Sequence, residues 1–273
     1  NQINCVRVKS DNISKSEHVV DKIRNIELKS ENSDDQIDIF KFIQSNLSKD
    51  YWGLMPPKEW KIFKKLEQVA DSNLENITDA VFHGTQTSAN KVYIVTPTNI
   101  DRVDAADSGE IVAVVPRGET KEYEVETDLL RPWLQGDDVN RWRGDWSGQH
   151  VILPYKITEN DDGTLNSDLY DQTYIQENLP LTWSYFEEHK ESLESREGGR
   201  MRGKDDWYSF IYPKSHHRFE RPKIIGRQFG TRSKFMLDDV GSWYYKGAYG
   251  IQLLPNNDHL TKEVACQLNS KVL

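Results

Sequence analysis

The sequence predicts an α+β fold, with N-terminal helices followed by a mixed, largely antiparallel β-sheet system with interspersed helices. Three observations predict it. Apolar residues in the first 75 or so positions recur at helical spacing. From about residue 76 the texture changes to short β-rich runs separated by turn signals. One longer helical pattern, near residues 181–196, interrupts those runs. An apolar content of 36% over 273 residues supplies a core for one large domain or two smaller ones.

Taken in order, Ile3–Lys9 (INCVRVK) reads as a strand. Ser33 with Gln36 makes a capping box, which predicts a helix through Ile37, Phe40, Ile43 and Leu47. Pro56-Pro57 opens a second helix, with Trp60, Phe63, Leu66 and Ala70 on one face. Residues 1–75 are therefore expected to be a helical segment, the end of or a linker from a catalytic domain outside this chain. The β-rich runs are VFHG, KVYIV, IVAVV, EYEVET, HVILPY, SFIYP, KIIGRQF, KFMLDD and SWYYKGAYGIQLL. Gly109, Asp162-Gly163 and Gly241 punctuate them. The helix Leu181–Arg196 places Trp183, Phe186 and Leu193 at helical spacing. The final TKEVACQLNSKVL is helix-like and lacks a cap, so residues 76–273 are expected to form a domain truncated at its C-terminal end.

The net charge is −9, which at first sight opposes a nucleic-acid partner. Its distribution changes that reading. Arg196–Lys234 carries eleven basic against four acidic side chains. Fields act locally, because salt screens them over roughly 8–10 Å. A basic patch on an acidic protein can therefore still bind an anion. The alternative is a basic face balanced in space by the acidic run Asp101–Asp128. No run of about 18 apolar residues exists, so no membrane partner is expected. Cys5 and Cys266 lie at opposite ends, which fits a reducing cytoplasm.

Motifs for making or breaking bonds are missing. There is no GxGxxG, no phosphate loop, no GxSxG and no zinc spacing. His216-His217 are neighbours expected to point to opposite sides of a strand, which disfavours a shared metal. Glu27-Leu28-Lys29 and Glu59-Trp60-Lys61 resemble half of a nuclease site, but no upstream Asp accompanies them. Met55-Pro56-Pro57-Lys58 lacks the flanking residues of an amino-methyltransferase loop and reads as a helix start.

Binding features are stronger. In Val81–Val95 (VFHGTQTSANKVYIV) two β-like runs flank small polar residues, although a two-residue turn would connect them. Thr85, Gln86, Thr87, Ser88, Asn90 and Lys91 offer phosphate and base-edge contact groups; the loop otherwise reads as a plain connection. Arg141 and Arg143 flank Trp142, which is expected to pack against the sheet. Arg200, Arg202 and Lys204 lie on the glycine loop EGGRMRGK, with Met201 as its anchor. Arg227, Gln228 and Arg232 lie in PKIIGRQFGTR; the strand period separates the first two unless the strand ends at Phe229-Gly230.

Together these stretches resemble the TaqI-like specificity domain, the target recognition domain of adenine-specific DNA methyltransferases. That family includes type II restriction-modification enzymes and related phage-defence methylases. VFHGTQTSANKVYIV resembles its GI-x-TG-x-N signature, with His83 and Ser88 as departures. LLRPWLQGDDVNRW, HVILPY, LESREGGRMRGKDDWYSFIYP, RPKIIGRQFG and CQLNSKVL follow in the family's order, from about Trp52 onward. The resemblance implies double-stranded DNA as partner and this chain as the part that reads its sequence in the major groove. S-adenosylmethionine and adenine flipping would belong to a covalently linked N-terminal methyltransferase domain absent here, and this chain alone would be neither methyltransferase nor nuclease. A reading from another class is a protein-interaction or scaffolding module of a phage-defence complex without DNA contact. A positive face joining residues 83–91 to 196–234 would discriminate between them.

Overall fold

A computed structural model describes residues 1–9, 23, 37–47, 53–70, 72–98, 109–161, 163–214, 216–230 and 232–270. The chain divides into two units, Asn1–Asn76 and Ile77–Leu273.

In the first unit, β1 (Gln2–Val8) pairs antiparallel with β2 (Ile37–Ile43), Gln2 facing Ile43 and Val8 facing Ile37. The sequence reading expects a helix over the second of these. Spacing by three does link Ile37, Phe40 and Ile43, but the segment is equally rich in β-branched residues. Both strand faces bury apolar residues, Phe40 and Phe42 with Cys5 on one and Ile37 and Ile39 on the other, while Lys41 and Ile43 are exposed. Pairing with β1 decides between two patterns that the local sequence leaves close. The capping box at Ser33 and Gln36 lies outside the described residues. The helix Pro57–Val69 starts on its proline, and Trp60 meets Phe42 edge-on at 5.1 Å. Arg7 forks between Asp38 and Glu59, each at 2.6 Å. Among the described residues the unit therefore holds a two-stranded sheet as well as helix, where the sequence reading expects a helical segment.

The second unit runs through β3 (Thr78–His83), a helical turn Asn90–Tyr93, β4 (Ile94–Pro97), β5 (Ile111–Pro116), β6 (Tyr123–Glu126) and β7 (Leu130–Gln135). It continues with β8 (His150–Ile152), β9 (Tyr155–Glu159), β10 (Leu165–Leu169), the helices Gln172–Asn178, Pro180–Glu188 and Lys190–Glu194, then β11 (Lys223–Arg227), β12 (Phe235–Asp238), β13 (Tyr244–Lys246), β14 (Ala248–Leu253) and the helix Thr261–Leu268. Four strands form an antiparallel sheet ordered β12-β11-β14-β3. Six form a second, β13-β7-β8-β4-β5-β6, in which only β13 and β7 run parallel. The α+β class follows directly. Two predicted runs differ: KVYIV begins as the helical turn and becomes a strand only at Ile94, and SFIYP contributes only an isolated bridge from Tyr212 to Gln86.

Aromatic side chains fill the core: Tyr93, Trp133, Phe186, Phe210, Phe219, Tyr244 and Tyr245 are almost wholly enclosed. Phe219 stacks on Tyr244 at 4.7 Å, a pairing that adds about 0.5–1.5 kcal/mol beyond burial. The helix expected over Leu181–Arg196 is divided into Pro180–Glu188 and Lys190–Glu194, and its apolar positions Trp183, Phe186 and Leu193 are buried as expected.

The two sheets meet at a common rim. β7 and β13 end there in register, Gln135 beside Lys246. β11 ends at Arg227 opposite Ala248, and β3 ends at His83 opposite Tyr249. The loop after β3 stitches the sheets together: Gly84 N–H donates to Ala248 O (3.2 Å) and Thr85 N–H to Tyr245 O (2.8 Å). A Cβ at Gly84 would strike the Tyr245 carbonyl, and one at Gly136 the Gly247 carbonyl, so the seam needs glycine at both.

Candidate nucleic-acid interface

The rim carries most of the polar residues singled out in the sequence, but not all in the expected attitude. In the loop after β3, Gln86, Ser88 and Lys91 are exposed. Thr85 and Thr87 are buried, so their hydroxyls face the fold. Thr87 Oγ1 donates to half-buried Asn90 Oδ1 at 2.7 Å and accepts from Ala89 N–H. Ser88 adopts a φ of 59°, the sharp bend that turns the chain into the helix Asn90–Tyr93.

The loop is tied down by a residue the sequence reading counted only as charge. Arg196 is 7% exposed. Its guanidinium donates to four backbone carbonyls: Leu193 (2.6 Å), Trp207 (2.7 Å), Ser209 (2.9 Å) and Thr87 (3.3 Å). Among the described residues no carboxylate pairs with it, so it fixes two chain segments against each other through their acceptors. No local pattern distinguishes this arginine from its neighbours; its partners lie up to 109 residues away.

Arg200, Arg202 and Lys204 emerge on the far side of the same segment and are exposed, while Met201 is buried as the expected anchor. Positive φ at Glu197, Gly198, Gly199 and Gly203 makes the bends. Arg200 reaches Glu197 Oε2 (3.4 Å) and Tyr212 OH (3.3 Å), and lies over the Tyr212 ring at 5.3 Å. The Gln86–Tyr212 bridge then joins this group to the loop after β3.

Toward the other end of the rim, β11 stops at Arg227, as the Phe229-Gly230 signal suggested. Arg227 pairs with Asp137. Gln228 Nε2 donates to Tyr249 OH (3.2 Å), and Tyr249 stacks obliquely on His83 at 4.7 Å. Phe229 is 75% exposed. It borders a shallow cavity of about 260 Å³ lined also by Gln135, Asp137, Arg227 and Lys246. Arg232 is exposed. Arg141 and Arg143 are exposed too, and Arg143 pairs with Asp145 at 2.9 Å. Trp142 is not buried against the sheet as expected: it is 55% exposed, and its backbone bridges to Met236 of β12.

Chemically, the rim offers flat aromatic faces, forked cations and amide tips, the groups that meet phosphates and bases. Arg202, Lys204, Arg141 and Arg232 make no ion pair among the described residues. His216 and His217 lie in a 3₁₀ turn rather than a strand, the first buried and the second half-buried. Among the described residues no His, Cys, Asp and Glu cluster suits a metal, both cysteines are free, and no helix is long and apolar enough to cross a membrane.

No family model matches the chain. Over 192 residues, 69% of this chain, the sequence is 26% identical to the type II methyltransferase M.BstVI of Geobacillus stearothermophilus. The chain spans 27% of that protein's length.

Proposed function

We propose that this chain is the target-reading part of a restriction-modification methyltransferase, holding double-stranded DNA against the rim while a linked domain performs methyl transfer from S-adenosylmethionine. The similarity to M.BstVI carries this reading, because it ties the chain to a DNA-modifying enzyme while covering 27% of it. The ordered motifs of the TaqI-like specificity domain support the finer assignment to adenine-specific enzymes, acting in the cytoplasm of a prokaryotic cell. The rim supports it further. Gln86, Gln228 and Arg227 are base-edge readers by chemistry, and Arg141, Arg202, Lys204 and Arg232 are phosphate grips.

One observation favours the interaction-module reading. Arg143, Arg200 and Arg227 already hold carboxylates, so part of the rim's charge is neutralised from within. Fluorescence anisotropy of the purified chain on mixed-sequence duplex DNA separates the two. DNA reading predicts log K falling with log salt by about 0.9 per phosphate neutralised, and no methyl transfer by this chain alone. Salt-indifferent or absent DNA binding supports the module instead. Methyl transfer by the chain would move the catalytic centre into it.

A further inference from the structure

Among the described residues three non-glycine positions have positive φ: Ser88, Trp142 and Glu197. Trp142, at φ 76°, is the bulkiest, and a bulky side chain in this region is a genuine outlier. It lies at the tip of a tight hairpin. Val139 bridges Gly144, Asn140 N–H donates to Arg143 O (3.0 Å), and Asp145 N–H donates to Asp138 O (2.8 Å). Positive φ at a turn residue calls for glycine or asparagine rather than tryptophan. The conformation is imposed from outside. Trp142 N–H donates to Phe235 O at 2.9 Å, and the Asn140 side chain is held between Asp145 (2.5 Å) and Lys234 (2.6 Å).

The residue does not recover this strain by burial, because it is 55% exposed. Strained backbone of this kind persists where the surroundings over-determine it, and it clusters at functional sites. The neighbours narrow the ligand. Arg141 and Arg143 flank the indole in sequence and are exposed. Phe229, the most exposed aromatic among the described residues, sits in the β11–β12 connection whose far end, Phe235, holds the Trp142 backbone. A flat π-face between cations matches a flat base hung on an anionic backbone.

We propose that Trp142 is a stacking residue for DNA, its indole lying against a base at a step that the bound duplex opens, with Arg141 on an adjoining phosphate. This rests on the DNA-binding reading above. Wedge side chains of this kind partly unstack a step and let the duplex bend around more protein.

The test uses the 273-residue chain and its Trp142→Gly and Trp142→Phe variants, on a mixed-sequence duplex carrying 2-aminopurine at several positions. Glycine relieves the backbone strain, so Trp142→Gly should melt at or above the parent temperature. It should also bind about tenfold more weakly and lose the 2-aminopurine fluorescence rise on binding. Trp142→Phe should keep most of both signals. A lower melting temperature for Trp142→Gly would make the indole structural and overturn the proposal. So would parent-like affinity together with a parent-like fluorescence rise. Failure of the parent chain itself to bind is a separate signature: it removes the DNA reading, and the stacking role with it.

Discussion

The basic segment 196–234 contains two populations of cation that the sequence does not separate. Arg196 and Lys223 are inside the fold; Arg200, Arg202, Lys204 and Arg232 are outside. The inner pair is committed to carbonyls and to one carboxylate. Lys223 donates to Phe219 O (2.6 Å) and pairs with Asp238, whose two oxygens also accept from Gly241, Ser242 and Trp243 N–H groups. The outer group is solvated or pairs loosely at the surface. A charge count over the segment therefore overstates the field a partner would feel. It also hides that part of the positive charge is scaffolding.

The largest effect expected from this contrast is on stability. Lys223 is fully enclosed, and burial lowers its pKa against the attraction of Asp238. Lys223→Ala leaves the Asp238 carboxylate buried without its cation, which costs about 3–5 kcal/mol. Arg232→Ala, from the exposed group, should stay within about 0.5 kcal/mol of the parent. Urea unfolding followed by near-UV circular dichroism measures both. Equal effects would erase the distinction between the populations.

His216 sharpens the same contrast through pH. Its ring sits among Tyr155, Phe210 and Phe219, and neither ring nitrogen has a partner among the described residues. Burial, helped by the neighbouring His217, pushes its pKa down to about 4. An unfolded histidine titrates near 6.5, so between those values the unfolded chain binds more protons. This contribution to stability is full above about pH 6.5 and is lost progressively as pH falls toward 4, roughly 3 kcal/mol in all. His216→Phe should flatten that limb of the stability–pH curve. An unchanged slope would show that the imidazole is charged or solvated in the native state.

The contrast also explains what the sequence could reveal. Strand texture from residue 76 onward, the Pro56-Pro57 helix start and the buried face of Trp183, Phe186 and Leu193 are local patterns, and local patterns were legible. β2 was not, because its apolar residues satisfy both periods and only pairing with β1 chooses between them. The rim was legible in its composition, since Gln86, Arg200, Arg227 and Gln228 do come to the surface or half-emerge. Its assembly was not. The burial of Thr85 and Thr87, the role of Arg196 and the exposure of Trp142 depend on partners from about a dozen to more than 150 residues away.

The smallest expected effect concerns Arg200 and Arg202, two exposed cations on one bend that differ in what they already hold. Arg202 has no acidic partner among the described residues. As a phosphate grip it loses little on binding, so Arg202→Ala should weaken all DNA sequences alike and reduce the salt slope by about 0.9. Arg200 shares Glu197 Oε2 with Tyr212 OH, which donates to that oxygen at 2.8 Å. To meet DNA it must leave that carboxylate beside an incoming anion. Its removal therefore does two things: it deletes a cation and leaves Glu197 facing the phosphates. Arg200→Ala should accordingly lower affinity more than Arg202→Ala, and Glu197→Gln should raise it while leaving the Tyr212 contact in place. None of the three should shift the unfolding midpoint measurably, since surface pairs of this kind contribute little to stability. A Glu197→Gln variant that binds DNA no better than the parent, measured across a salt series, would show that this bend lies off the DNA path.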